Sequence, residues 1–179
     1  SNASDPKVAE VIRPYSLAIL PEIDRVVSTS ADMKQKDLSN VVQVWSLSNL
    51  SLIKTMVLEP GPRGNEHFDP AEPRVLKDGK TVLISTFFCG LYRVKDIESR
   101  APSIEWVYSF DFNDKYDCAI PVVNGDYWIQ AVGSKTAIVS LNVSNPSKPT
   151  KAFELKFNTG EWPHWIALEP GGNRLVVTG

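Results

Sequence analysis

Apolar and polar positions along the chain repeat one pattern four times. Tyr15-Ser16-Leu17-Ala18-Ile19-Leu20 leads across a short break to Val26-Val27-Ser28-Thr29. Ala71-Glu72-Pro73-Arg74-Val75-Leu76 leads in the same way to Val82-Leu83-Ile84-Ser85-Thr86. Asp117-Cys118-Ala119-Ile120-Pro121-Val122 leads to Trp128-Ile129-Gln130-Ala131, and Pro163-His164-Trp165-Ile166-Ala167-Leu168 to Leu175-Val176-Val177-Thr178. Each copy reads as a short apolar strand, a tight turn and a second apolar strand running out into small polar residues. The turns fall at Pro21-Glu22, Asp78-Gly79, Asn124-Gly125 and Pro170-Gly171-Gly172. Asp-Gly and Asn-Gly between apolar runs predict hairpins with both turn positions at φ > 0. Ser16, Glu72, Cys118 and His164 share one register of this repeat, spaced by 56, 46 and 46 residues.

A hairpin recurring at roughly 40–50 residues predicts an all-β fold, a β-propeller with one four-stranded antiparallel blade per repeat. Pro6 to Ile12 reads as an outer strand left from a preceding blade, and the first hairpin follows. Ser30 to Asn40 is a polar, charged excursion, after which Val41 to Leu47 and Leu52 to Leu58 supply third and fourth strands. Glu59 to Pro70 is a loop punctuated by prolines and glycines. The second blade continues through Leu91-Tyr92-Arg93-Val94 and Ser103 to Phe110, the third through Thr136 to Asn142 and Thr150 to Phe157. The expected segment is residues 4–179, with blades over 13–58, 70–112 and 116–158 and a half blade over 162–179. A propeller closes so that no blade leaves a long unpaired edge. Three and a half blades do not close alone. The preferred expectation is a fragment of a longer ring; the other is a ring completed by a partner chain, with self-association through open blade edges.

The 179 residues are 42% hydrophobic and 22% charged with a formal net charge of −2, enough for one sizeable core. This near-neutral balance provides no basic face for nucleic acid. No apolar run reaches the roughly 18–20 residues of a membrane span. Ser1-Asn2-Ala3 reads as the scar left when an expression tag is cleaved, outside the fold. A chain prepared in that way often lacks its signal peptide, so cytoplasmic and periplasmic or secreted locations both stay open. Cys89 and Cys118 are too few for a disulfide framework.

Several stretches resemble the selenium-binding protein family, whose members include methanethiol oxidases. They are Ile23-Asp24-Arg25-Val26-Val27-Ser28-Thr29-Ser30, Val42-Gln43-Val44-Trp45 and Lys54-Thr55-Met56-Val57-Leu58 in the first blade. Glu72-Pro73-Arg74-Val75-Leu76, Cys89-Gly90-Leu91-Tyr92-Arg93 and the turn from Val143-Ser144-Asn145-Pro146 to Lys148-Pro149 are the others. The resemblance spans most of the chain at the level of pattern. It implies a seven-bladed ring, of which this chain is about half. It also implies copper held by histidines in the bacterial oxidases, and the chain has two histidines, His67 and His164.

In a propeller the first strand of each blade is innermost, and its opening residues sit at one mouth of the central channel. Ser16, Glu72, Cys118 and His164 are therefore expected to ring that mouth, with Tyr15, Arg74, Asp117 and Pro163 beside them and Cys89 and His67 on the same face. The ligand-binding candidates are Glu72, Arg74, Asp117, Cys118, His164 and Cys89. Carboxylate, thiolate and imidazole together suit a ligand or a metal. Each also has a structural reading. Cys118 and Cys89 can be small buried apolar residues or a disulfide pair; His164 can bond a loop carbonyl; His67 can be solvated. Glu72 and Arg74, two apart on one strand, can satisfy each other. Trp45, Trp106, Trp128, Trp162 and Trp165 read mostly as inter-blade packing, with Trp162 and Trp165 placed to line a pocket. Gly171-Gly172 is a hairpin turn and not a phosphate loop, since no helix follows. No catalytic triad, zinc-finger spacing or paired-carboxylate motif is present, so no catalytic residue is assigned. Two functions stay in view: a module binding a small molecule or protein at the channel mouth, and part of a metal-dependent oxidoreductase or a propeller lactonase.

Overall fold

The computed structural model describes residues 12–34, 36–110, 117–118 and 120–179. β1 (Pro14–Leu20), β2 (Arg25–Ser30), β3 (Val41–Ser46) and β4 (Leu52–Val57) form the first sheet. β5 (Pro70–Val75), β6 (Val82–Thr86), β7 (Gly90–Lys95) and β8 (Ser103–Ser109) form the second. β9 (Val122–Asn124), β10 (Tyr127–Val132), β11 (Ala137–Asn142) and β12 (Thr150–Lys156) form the third, and β13 (Trp165–Leu168) pairs with β14 (Leu175–Thr178). Every pairing is antiparallel between consecutive strands. The fold is all-β, three propeller blades and half of a fourth, with no α-helix among the described residues. The expected strand over Pro6 to Ile12 lies outside the described residues, which begin at Ile12.

The core lies between the blades. Period-two alternation gives each sheet two apolar faces, and the facing faces of successive sheets pack together. Leu20, Val27, Val42, Val44 and Met56 of the first blade meet Val82, Ile84, Tyr92 and Val94 of the second. Leu83, Leu91 and Val107, on the other face of that second blade, meet Trp128, Val132, Val139 and Leu141 of the third. Ala131 and Ile138 of the third meet Ile166, Leu175 and Val177 of the half blade. Burying one such side chain contributes about 2 kcal/mol, so every interface of this kind outweighs any single polar contact in the molecule. The first strands of successive blades approach one another, β1 with β5 and β9 with β13. They are therefore the inner wall.

Several turn details differ from the sequence expectation. At Pro21-Glu22 the chain makes a 3-10 turn over Pro21–Ile23, and Asp24 takes the left-handed conformation at φ 55°. Only Gly79, not Asp78, has positive φ (72°). Asp78 instead accepts bonds from the Lys80 and Thr81 N–H groups and the Thr81 hydroxyl, which stabilises a four-residue loop. Asn124 is the last residue of β9, so the third hairpin loop is Gly125-Asp126, with Gly125 at φ 57°. The first strand of the third blade also starts later than its apolar run suggested. Cys118 forms an isolated bridge to Val132 and β9 begins at Val122.

Of the tryptophans, Trp128 is fully buried between blades. Trp106 is not: it lies on the outer strand against Gly61 and donates its indole N–H to Ser109 Oγ at 3.0 Å. Trp162 covers Gly133, where the ring leaves no room for a Cβ.

Candidate functional site

The inner strands of the first two blades carry one polar constellation. Ser16 Oγ donates to Glu72 Oε2 at 3.1 Å, and the Arg74 guanidinium reaches the same oxygen at 2.7 Å. Arg74 Nε also donates to the Pro121 carbonyl at 3.2 Å, so this one side chain ties the second blade to the third. Tyr15 lies alongside, its ring edge-on to Phe87 at 5.3 Å. Burial raises the Tyr15 pKa, the Glu72 carboxylate raises it further, and Arg74 opposes both. Thr29 Oγ1 donates to the Ala71 carbonyl at 2.6 Å and closes the same seam from β2. The expected Glu72–Arg74 pairing is thus real, and it extends to Ser16 across the blade boundary.

Beyond this pair the wall turns apolar. Arg74, Ile120, Val122, Trp165 and Ala167 line an open groove of about 510 Å³ running across β5, the start of β9 and β13. Trp165 lines this groove and Trp162 another of about 510 Å³ beside Pro163 and Thr178.

Cys118 and His164 do not join Ser16 and Glu72. The pairing registers explain this. Pro14 and Pro70 each bridge the end of the second strand just before a bulge, and Cys118 makes the same bridge in the third blade. Counted from that bridge, the equivalent of Ser16 and Glu72 is Ile120. The third hairpin loop is two residues shorter than the second, and this shortening moved a register counted across turns by two positions. Counted back from the last hairpin, whose loop follows the second blade's pattern, the equivalent is Trp165. The inner wall at this level therefore reads Ser16, Glu72, Ile120, Trp165.

Cys118 instead forms a disulfide with Cys89, Cα–Cα 5.1 Å, inside the apolar interface of the second and third blades. Both cysteines are buried, and neither offers a thiolate. Asp117 is buried as well. Its carboxylate accepts the Ser134 N–H at 2.5 Å and the Ser134 hydroxyl, and its own N–H donates to the Phe87 carbonyl, so it fastens the β10–β11 turn and the blade boundary. His164 is exposed on the half blade, its backbone N–H bonded to the Thr178 carbonyl at 2.8 Å. His67, expected to be solvated, is buried and packs at a tilt against Phe68, ring centroids 3.9 Å apart; burial lowers its pKa.

The copper suggested by the family resemblance does not fit these residues. The thiols are consumed in the disulfide, and the two histidines lie on unrelated elements in unlike surroundings. No group of three or more His, Cys, Asp or Glu side chains able to hold a metal ion occurs among the described residues. No helix among them is long and apolar enough to cross a membrane.

Neither a protein-family model nor a curated protein sequence matches the chain. Solved structures do. A hypothetical selenium-binding protein from Sulfolobus tokodaii matches with a TM-score of 0.75 at 12% identity, over 92% of this chain and 46% of that one. A protein from Lactobacillus plantarum matches at 0.67 and 17%, over 92% and 50%, and BamB from Moraxella catarrhalis at 0.60 and 13%, over 95% and 42%. Identities this low carry the fold alone. The chain is a β-propeller segment that spans about half the length of the structures it resembles.

Proposed function

We propose that this segment is a binding module that holds a small polar ligand against the inner wall at Ser16, Glu72 and Arg74. The observation that carries this reading is the Glu72–Arg74 pair itself, set on an innermost strand and bonded to both neighbouring blades. A carboxylate and a guanidinium side by side present acceptors and donors with no net charge. That combination recognises hydroxyl, amide or zwitterionic groups better than a bare ion. The same pair is held by the scaffold before any ligand arrives, which lowers the ordering cost of binding. The selenium-binding protein likeness supports a propeller module and adds no residue of its own to this site.

The test is a thermal-shift screen of small polar metabolites followed by NMR titration of the hits. A genuine ligand perturbs Ser16, Glu72 and Arg74 resonances, and Arg74→Ala abolishes the effect while the protein stays folded. Hits that map away from these three residues, or that bind Arg74→Ala unchanged, overturn the reading.

A further inference from the structure

The disulfide is buried in the seam that it crosslinks. Cys89 is 0% and Cys118 1% exposed, and both belong to the apolar cluster that Leu83, Leu91, Val107, Trp128, Val132 and Leu141 form between the second and third blades. Backbone bonds close the seam around the two sulfurs. Cys89 donates its N–H to the Thr86 carbonyl, and its own carbonyl accepts the Phe110 N–H at 2.9 Å. Cys118 bridges Val132 of β10 and, like Asp117, donates its N–H to the Phe87 carbonyl. Cys89 also stands at φ 62°, a conformation costly to any residue with a Cβ. Glycine would suit that turn better, so the cysteine there is explained by the bond it makes and not by the backbone.

We infer that this bond forms while the second and third blades are still apart, and that the chain therefore matures in an oxidising compartment outside the reducing cytosol. In that step the Cys89 and Cys118 thiols give two protons and two electrons to a disulfide oxidant. The oxidant's own S–S bond breaks as the new one forms, and it leaves as two thiols. Thiol–disulfide exchange needs a thiolate to reach a sulfur, so its rate depends on access. The closed seam denies that access to an oxidant and to a reductant alike. Disulfides persist where the surroundings are oxidising and are rare where cellular thiols keep cysteines reduced. The bond is thus a lock set during maturation and shielded afterwards. This inference is independent of the ligand reading above.

Two measurements test it. The first follows reduction of the folded, oxidised protein by glutathione, with samples quenched by iodoacetamide in denaturant and their alkyl groups counted by mass spectrometry. Reduction is expected to run at least about a hundredfold slower than in urea, because only molecules whose seam has opened react. Exchange passes through the same mixed disulfide in both directions, so a barrier to reduction is also a barrier to formation. Equal rates in the folded and unfolded protein overturn the proposed order of events. The second separates the cells that make the protein into cytosolic and exported fractions, each quenched in the same way. Chain in the exported fraction carrying no alkyl group is the expected result. Chain in the cytosolic fraction, or chain carrying two alkyl groups, overturns the inference.

Discussion

Glu66 shows how a single buried carboxylate is kept charged. Its Oε1 accepts the Arg63 N–H at 2.8 Å, the Ser109 hydroxyl at 2.8 Å and Arg63 Nε at 3.3 Å, while Oε2 accepts the Asn65 N–H. Burial alone would raise its pKa, but the Arg63 N–H and the other donors outweigh it, and the pKa is lowered. A carboxylate lowered in the folded state contributes stability that is complete above the ordinary carboxylate range and lost as pH falls through the lowered folded value. Urea midpoints of Glu66→Gln should therefore fall below those of the parent at neutral pH, by on the order of 3 kcal/mol in unfolding free energy. The two curves should converge in acid; a constant gap at all pH values would show that charge is irrelevant there. Tyr15 supplies a second residue-scale prediction. Arg74 lowers the Tyr15 pKa against burial and Glu72, so Arg74→Ala should make this phenol ionise at higher pH, read from its ring carbon shifts in an alkaline NMR titration. Glu72 and Arg74 were legible as a mutually satisfying pair because two residues apart on a strand share a face. Their partners Ser16 and the Pro121 carbonyl come from other blades; the first was singled out by register, while nothing in the local pattern marked the second.

At the scale of elements, the inter-blade disulfide decides more than any turn. Cys89 sits at φ 62°, a conformation that costs a side-chain-bearing residue about 1 kcal/mol and that glycine adopts freely. Its N–H bonds back to the Thr86 carbonyl, and the next residue, Gly90, donates to Thr86 Oγ1, so the β6–β7 turn is held by hydrogen bonds around the strained position. The S–S bond to Cys118 fixes the second blade to the third across 29 residues of chain. Replacing both cysteines by alanine should cost about 3 kcal/mol, seen as a lower melting temperature in differential scanning calorimetry. Pairing Cys89→Gly with Cys118→Ala should recover about 1 kcal/mol of that loss through the left-handed turn. If both double variants melt together, the turn is not strained. The sequence offered this disulfide as one of several readings of two cysteines. The choice depended on how the second and third blades meet, with Cys89 and Cys118 both in the apolar cluster between them, which no local periodicity encodes. The same limit applied to Cys118 as a channel residue: a register counted across turns fails wherever a loop changes length, and the Gly125-Asp126 loop is two residues shorter than its neighbour.

At the scale of the whole molecule, stability comes from stacking twisted sheets face to face. What the sequence by itself determined is the all-β class, the four hairpins and the blade count. Strand periodicity, glycine-bearing turns and a spacing near the size of one blade are local properties that survive without knowledge of neighbours. Which faces meet, which polar side chains converge on the inner wall, and which cysteine finds which were decided only by the tertiary structure. Those depend on bulges and loop lengths, and a shift of two residues exchanges a wall position for a buried core position while leaving the hydrophobic pattern unchanged.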